Sequence, residues 1–141
     1  MGDWQTADGH RTQVVDDLVV IEPHGHLNAH QIAWLFDDII APVILAHGLA
    51  YVVLDARQAT PADPESRRVI SRWVRAHPGQ TLFAVFGASR AASAVGTLLI
   101  NALRLLTGRV IQLKMFAQSG EALSWLHAQR DRRRVGLPFE L

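Results

Sequence analysis

A serine stands in Gly87-Ala88-Ser89-Arg90-Ala91, between a predicted strand and a predicted helix, where a hydrolase would place its nucleophile elbow. That elbow has the pattern Gly-x-Ser-x-Gly, and Ala91 occupies the position of the last glycine. The acid and the base would have to be Glu121 and His127 of a later helix. N-capping of the following helix explains Ser89 more simply, so a weak serine hydrolase is the least favoured function.

Three histidines, His24, His26 and His30, are spaced closely enough to gather around a metal ion. Zinc sites usually add a thiolate or a carboxylate to such imidazoles, and their ligands converge on one point. The chain has no cysteine, and Glu22 is the one acid beside this segment. We therefore interpret these histidines as solvated loop residues, and the sequence predicts neither a metal nor a cofactor.

Polar residues follow two apolar runs that are typical of buried parallel strands, residues 50–55 and 81–87. Open α/β sheets bind their ligands at the carboxyl edge of the strands, so these residues are expected to gather there. Loop and helix capping by Asp55 and Asp63 is the alternative. The predicted recognition edge consists of Asp55, Arg57, Thr60, Asp63, Ser66, Ser89 and Arg90.

The second predicted helix has an arginine face opposite its apolar face. At 100° per residue, one side carries the core residues and the other carries arginines, which present forked donors suited to carboxylates and phosphates. An ordinary solvated face and a surface for an acidic partner both fit this pattern. The apolar side is Val69, Ile70, Trp73 and Val74, and the other is Arg67, Arg68, Arg72 and Arg75, of which the last three are predicted partner contacts.

Residues 94–106 form a predicted helix that is apolar nearly all round, so it must be covered on two sides. An exposed apolar patch of this kind marks a partner, a membrane or a ligand. A homodimer interface is the favoured interpretation, ahead of a partner groove, a lipid-like ligand or membrane surface, and full burial within the monomer. The predicted interface residues are Trp34 on the outer side of the first helix, Leu98, Leu99, Ala102, Leu103 and Leu106.

The elements that position these residues follow the order β-β-α-β-α-β-α-β-α, which predicts an α/β fold with a mixed sheet of five strands and four helices. A hairpin turns at Asp16-Asp17. Asn28 caps a helix that reaches His47 and is kinked or broken by Pro42 near Ala41. The later helices are capped by Asp63, Ser89 and Ser119, the last strand spans 110–116, and residues 11–132 form one domain between flexible tails at 1–10 and 133–141.

The composition excludes several classes of protein. The 141 residues are 49% hydrophobic and 19% charged, which excludes a disordered chain. The absence of cysteine excludes a disulfide scaffold. A net charge of +1 does not indicate a nucleic-acid binder. No apolar run is expected to reach the roughly 18 residues that span a bilayer, and no signal-peptide pattern begins the chain, so a cytoplasmic protein without stable membrane anchoring is predicted.

Several segments, in this order and spacing over about residues 12–128, are similar to one family. They are Gly25-His26-Leu27-Asn28, Val52-Val53-Leu54-Asp55, residues 72–78, residues 85–89, and Met115-Phe116 followed by residues 121–126. The chain resembles the STAS superfamily of anti-sigma-factor antagonists and, more closely, the bacterial SpoIIAA-like (STAS/SEC14-type) family. The resemblance implies a non-enzymatic regulatory module whose partner is an anti-sigma-like or other regulatory protein.

One departure from that family concerns its phosphorylation switch. Regulatory STAS proteins carry an Asp-Ser-Ser-Gly-like turn, in which a partner kinase phosphorylates a serine. The equivalent stretch here is Ala62-Asp63-Pro64-Glu65-Ser66, so the serine pair is replaced and the switch is not expected. The SEC14-type resemblance and helix 94–106 suggest an alternative function, a carrier of a small apolar or lipid-like ligand, which would need a closed apolar cavity beside Leu99 and Leu103.

Overall fold

The computed structural model describes residues 3–109 and 111–141. Within these described residues, six strands and four helices alternate along most of the sequence. The strands are β1 (Gln5–Ala7), β2 (His10–Val15), β3 (Leu18–Glu22), β4 (Ala50–Asp55), β5 (Thr81–Phe86) and β6 (Leu113–Phe116). The helices are α1 (Ala29–His47), α2 (Pro64–Ala76), α3 (Arg90–Thr107) and α4 (Ser119–Arg134).

The strands form one mixed sheet in the order β1-β2-β3-β4-β5-β6. Pairing is antiparallel from β1 to β3 and parallel from β3 to β6. The α/β class and the N-terminal hairpin are confirmed, but the predicted number of five strands is wrong. The strand that was not predicted is β1, which lies in the segment predicted to be a tail. Its Gln5-Thr6-Ala7 sequence is too short and polar to show strand periodicity.

The hairpin between β2 and β3 turns at Asp16, as predicted. Asp16 has φ of 54°, a left-handed conformation that aspartate tolerates better than most residues. The main-chain N–H of Tyr51 donates to the carbonyl of Asp17 at 2.9 Å, which begins the parallel pairing of β3 with β4. The turn therefore sets the register of the central strands.

Helix α1 continues through Pro42, where a kink or break near Ala41 was expected. Its middle six residues, Leu35–Ile40, form a π-helical turn in which the N–H of Ala41 donates to the carbonyl of Phe36. Pro42 then lies in the first turn of the next α-helical segment, where a missing N–H costs no helical bond. The predicted boundaries are correct, because Asn28 forms a capping box with Gln31 and Gly48 ends the helix at φ of 80°.

Alternate residues of the strands face two different layers. One face of the sheet packs against α1 and α2, and its residues include Val19, Ala50 and Val52, with Trp73 buried against them. The other face packs against α4 through Ala122 and Leu126. The apolar stripe of α1 is buried throughout; it consists of Ile32, Leu35, Phe36, Ile39, Ile40 and Val43.

One helix is long and apolar enough to span a membrane by length and composition alone, whereas none was expected. It is α1, Ala29–His47. Its apolar stripe packs on the sheet, and the core helix of a soluble protein can be equally long and apolar. Among the described residues, α1 is the single helix of this kind.

The last part of the chain differs in detail from the prediction. Ser119 does not cap α4: it is the first helical residue, and Gln118 at the N-cap position makes no side-chain bond. Beyond α4, the ring of Phe139 lies 6.5 Å from that of Tyr51, and the main chain of Glu140 is bonded to Gln129 at both N–H and carbonyl. Residue 110, which was predicted to begin the last strand, lies outside the described residues.

Candidate functional site

The carboxyl end of β4 is ordered by a close carboxylate–guanidinium pair. Oδ1 of Asp55 accepts from the main-chain N–H of Arg57 at 3.1 Å and from its Nε at 2.9 Å, and Oδ2 accepts from Nη2 at 2.7 Å. The side-chain hydrogen bonds from Arg57 are the main cause that lowers the pKa of Asp55 below its usual value. Asp55 therefore caps its own loop while presenting an exposed guanidinium at the edge of the sheet.

Gly87, which follows β5, has no side chain and so makes room for the side chain of Arg57. Its φ is 73°, and a Cβ built at this position would collide with Cγ of Arg57. The guanidinium carbon of Arg57 lies 5.6 Å from the centre of the Phe86 ring. The pair at the end of β4 thus depends on a glycine at the end of β5.

The loop after β3 is joined to the loop after β4. The N–H of Gly25 donates to the carbonyl of Gln58 at 2.7 Å, and the N–H of Thr60 donates to the carbonyl of Gly25 at 3.2 Å. Nδ1 of His24 lies 2.8 Å from Oε1 of Gln58. These contacts were not predicted, since His24 was interpreted as a solvated loop residue and Gln58 carried no signal in the sequence.

Asp63 connects the same two loops to the start of α2. Its Oδ1 accepts the N–H of Ser66 at 2.7 Å, which is the predicted N-cap bond. Its Oδ2 lies 2.8 Å from Nε2 of His26. The backbone bond from Ser66 is the largest cause that lowers the pKa of Asp63. Asp63 is therefore both a helix cap and a link between the two loops.

The two serines of the predicted recognition edge have different surroundings. Ser66 is fully buried, and its Oγ donates to the carbonyl of Leu27 at 3.1 Å. Ser89 is exposed, and its Oγ accepts the N–H of Ala92 at 3.1 Å. Ser89 therefore caps α3, which is the helix-capping role predicted for it in place of a nucleophile. Arg90 is exposed beside it. Ser66 thus belongs to the interior, whereas Ser89 and Arg90 belong to the surface.

The hydrolase hypothesis gains no support from this geometry. Among the described residues, no hydrogen bond or ion pair joins Ser89 to Glu121 or His127, and Nδ1 of His127 instead lies 3.3 Å from Nη1 of Arg130. Glu121 and His127 also belong to α4, which packs on the opposite face of the sheet from the core helices α1 and α2.

The histidines near β3 each contact a different protein group. His24 meets Gln58 and His26 meets Asp63, while Nδ1 of His10 accepts the main-chain N–H of His24 at 3.0 Å. Within residues 3–109 and 111–141, no group of three or more histidine and carboxylate side chains could hold a metal ion. These imidazoles order the loops at the carboxyl ends of β3 and β4.

The arginines of α2 face a groove whose other wall is α3. Arg68, Arg72 and Arg75 are exposed, and none of the acidic side chains in the described part of the chain forms an ion pair with them. Arg67 donates through Nη1 to the carbonyl of Ala62 at 3.2 Å. We call this feature the arginine–leucine groove; its lining consists of Arg67, Arg68, Arg72 and Arg75 with Pro64, Ser71 and Ala76 from α2, and of Val95, Leu98, Leu99 and Ala102 from α3.

A partly open apolar cavity of about 520 Å³ lies between the sheet and the helices α1, α2 and α3. Leu99 and Leu103 line it, at the position where the carrier hypothesis expects a cavity, although it is not closed. Other lining residues include Trp73 and Ile100 from the helices and Phe83, Val85 and Met115 from the sheet. Arg75, His77 and Arg109 also line it. Cavities of roughly 300–1,000 Å³ accommodate small-molecule ligands.

The residues predicted to form an apolar interface divide into two groups. Leu98 and Leu106 are 69% and 66% exposed, and Ala102 is exposed beside them. Leu103 is buried, Leu99 is half-buried, and Trp34 packs against the core rather than standing on the outer face. Leu105, which was not predicted, is 86% exposed. A helix that is apolar all round does not reveal which side the sheet will cover, so the sequence could not separate these groups.

Comparison with known proteins gives similarity in structure but not in sequence. No family model matches the sequence, and no curated protein matches it either. The crystal structure of the Thermotoga maritima protein TM1081, assigned as an anti-sigma factor antagonist, superposes with a TM-score of 0.59 at 21% identity, covering 82% of this chain and 92% of that one. The chain has a STAS-like fold. The solution structure of TM1081 gives a TM-score of 0.56 over 82% of this chain and 86% of that one, again at 21% identity.

A third STAS-like structure comes from Shewanella loihica and is described as having a SpoIIAA-like fold. It superposes with a TM-score of 0.54 at 11% identity, covering 89% of this chain and 92% of that one. These similarities establish the fold resemblance that the sequence segments suggested. At such identities they do not transfer a function.

Proposed function

We propose that this chain is a non-enzymatic regulatory module that binds a protein partner, anti-sigma-like or of another regulatory kind, in the cytoplasm. The observation that carries the proposal is the ordered recognition edge. Asp55 with Arg57 orders the loop after β4, and the contacts of His24 with Gln58 and of His26 with Asp63 hold this loop to the loop after β3. Surfaces of this kind bind without a conformational cost when their side chains are already in place.

The same module works without a phosphorylated serine. Ser66, which follows the altered family turn, has no exposed surface and donates a hydrogen bond to Leu27. A kinase needs an accessible hydroxyl, and a phosphate at this depth would bring about two negative charges into the interior. Burial of Ser66 therefore supports a constitutive rather than a switched interaction.

Site-specific photo-crosslinking tests the proposal. A photo-reactive residue is placed at Thr60 or at Arg90, both of which are exposed on the recognition edge, and at Ser124, which is exposed on α4, as the matched control. We expect the two edge positions to capture the same protein from a native extract and the control position not to capture it. Capture that is equal at Ser124, or no capture at either edge position, contradicts the proposal.

The apolar cavity favours a second candidate function, the binding of a small apolar or lipid-like ligand. Its volume of about 520 Å³ and its lining by Leu99, Ile100 and Leu103 fit an aliphatic chain. Arg75, His77 and Arg109 in the same lining fit a polar or anionic end of such a ligand. This candidate rests on the cavity alone and does not need the recognition edge.

Native mass spectrometry and a fluorescent fatty acid test the second candidate. A carrier is expected to retain extra mass that is lost on denaturation and to bind cis-parinaric acid. Ile100→Trp places a larger side chain in the cavity and should abolish this binding, while Leu105→Trp on the exposed side of α3 should leave it intact. If neither extra mass nor probe binding is found, the chain is not a carrier.

The homodimer predicted from the apolar helix stays a proposal. Leu105 and Leu106 are both exposed near the C-terminal end of α3, and apolar side chains of this kind become buried when subunits associate. Native mass spectrometry of the same sample checks it, since a dimer has twice the chain mass of 15.6 kDa.

A further inference from the structure

We infer that the arginine–leucine groove binds an acidic amphipathic helix of the partner protein. This inference rests on the proposed function, because it names the kind of partner segment that such a module would recognise. The groove has two chemically different walls, arginines from α2 and apolar side chains from α3. An amphipathic helix carries the same two chemistries on adjacent faces.

The arginine wall has the spacing of a helix. Arg68, Arg72 and Arg75 follow one another at i, i+4 and i+7, so they form a line of about 10 Å along α2. A partner helix lying beside α2 presents glutamates at the same spacing. Each guanidinium can then meet a carboxylate with its forked donors, which is the geometry that arginine favours.

The charges on this wall are not balanced within the chain. Glu65 is the acidic residue in the first turn of α2, and the ion pairs of the described residues all lie elsewhere. An acidic partner removes the repulsion among the three arginines, and their field accelerates its association. A basic or neutral partner gains neither effect.

The apolar wall also has the spacing of one helix face. Val95, Leu98, Leu99 and Ala102 follow at i, i+3, i+4 and i+7, and Leu98 is 69% exposed. Leucines at matching positions of a partner helix would cover this surface. A lipid surface also attracts arginines and leucines, but here the two sets face each other across a concave groove, which fits an inserted helix better than a flat membrane.

Titration of a designed peptide tests the inference. The probe is a fluorescein-labelled peptide of about 18 residues, roughly five helical turns, with leucines on one face and glutamates beside them. There are two control peptides. One has the same composition in scrambled order, and the other has lysine in place of each glutamate. We expect fluorescence anisotropy to show binding of the acidic amphipathic peptide at least about tenfold tighter than that of either control.

Matched variants locate the binding in the groove. Arg72→Glu and Leu98→Asp should each weaken peptide binding about tenfold or more. Arg104→Glu and Leu105→Asp make the same changes at exposed positions of α3 outside the groove and should leave binding unchanged. Equal loss in the control variants, or no preference for the acidic amphipathic peptide, overturns the inference.

Two further outcomes would also overturn it. Binding to phosphatidylserine vesicles that depends on Arg72, without binding of the peptide, would assign the groove to a membrane. A dimer that is lost in Leu98→Asp would assign the groove to a second copy of the chain. The proposed function is tested separately by cross-linking at Thr60 and Arg90, so a groove that fails can be told apart from a module that fails.

Discussion

The carboxylate of Asp63 lies 2.8 Å from Nε2 of His26, so a helix cap and a loop histidine 37 positions apart are in direct polar contact. The same carboxylate accepts the N–H of Ser66, which begins α2. Removal of the Asp63 carboxylate would therefore remove two contacts at once, one with the first turn of α2 and one with the loop before α1. Substitutions at Asp63 can separate these two roles.

Asp63→Ala is expected to lower the melting temperature at neutral pH, because alanine cannot accept the N-cap bond. Asp63→Asn should lower it less, because asparagine caps helices as well as aspartate and loses only the charged contact with His26. Thermal unfolding followed by circular dichroism measures both. Equal melting temperatures of Asp63→Ala and the unmodified chain would contradict the assigned cap.

Acid should remove the advantage of the charged residue at position 63. The backbone bond from Ser66 is the main cause that holds the pKa of Asp63 below 3.8, so its ionised form stabilises the folded chain fully above pH 3.8. That stabilisation is lost as the pH falls from 3.8 through the lowered pKa. Melting curves between about pH 5 and pH 2 should therefore converge for Asp63→Asn and the unmodified chain. Parallel curves would contradict the lowered pKa.

Ser66 and Ser89 should respond oppositely to a negative charge. Ser66→Asp places a carboxylate in a fully buried site and should destabilise the fold strongly, whereas Ser66→Ala should cost about 1 kcal/mol for the lost bond to Leu27. Ser89→Asp should be tolerated, because aspartate is also a good N-cap. Urea unfolding measures the free energies. A stable Ser66→Asp variant would restore the case for a phosphorylation switch.

Arg130 anchors α4 to the hairpin turn. Its Nη2 donates to Oδ1 of Asp17 at 2.5 Å, and its guanidinium carbon lies 5.0 Å from the centre of the Tyr51 ring. Arg130→Ala is expected to reduce the free energy of unfolding by about 1.5–3 kcal/mol, the usual range for a hydrogen bond to a charged group. Arg134→Ala, at an exposed position of the same helix, should change it by less than about 0.5 kcal/mol. Equal effects would remove the anchoring role.

Two leucines of α3 that are two residues apart should differ sharply in how much stability is lost when each is replaced by alanine. Leu103 is 2% exposed and lines the apolar cavity, while Leu105 is 86% exposed. Leu103→Ala should cost about 2–5 kcal/mol, as large-to-small changes in cores do. Leu105→Ala should change stability by less than about 0.5 kcal/mol. Similar costs in urea unfolding would mean that α3 is oriented differently on the sheet.

The sequence predicted most of the fold because its local signals are strong. Asn28, Asp63 and Ser89 have side chains that accept main-chain N–H groups at helix starts, and each caps the helix that was expected. The buried runs that became β4 and β5 are apolar on both faces, which is typical of parallel strands. By contrast, β1 has no such pattern, because Gln5 and Thr6 are exposed and the strand depends on its pairing with β2.

The amino-acid order alone determined where most helices begin and which strands are buried, since these depend on neighbours within a few positions. Only the tertiary structure decided that His26 meets Asp63, that Ser66 is buried, and that Leu103 and Leu105 face opposite environments. These facts depend on packing between segments far apart in the chain. The sequence shows whether a residue or a helix face is polar or apolar, but its exposure to solvent depends on what the fold packs against it.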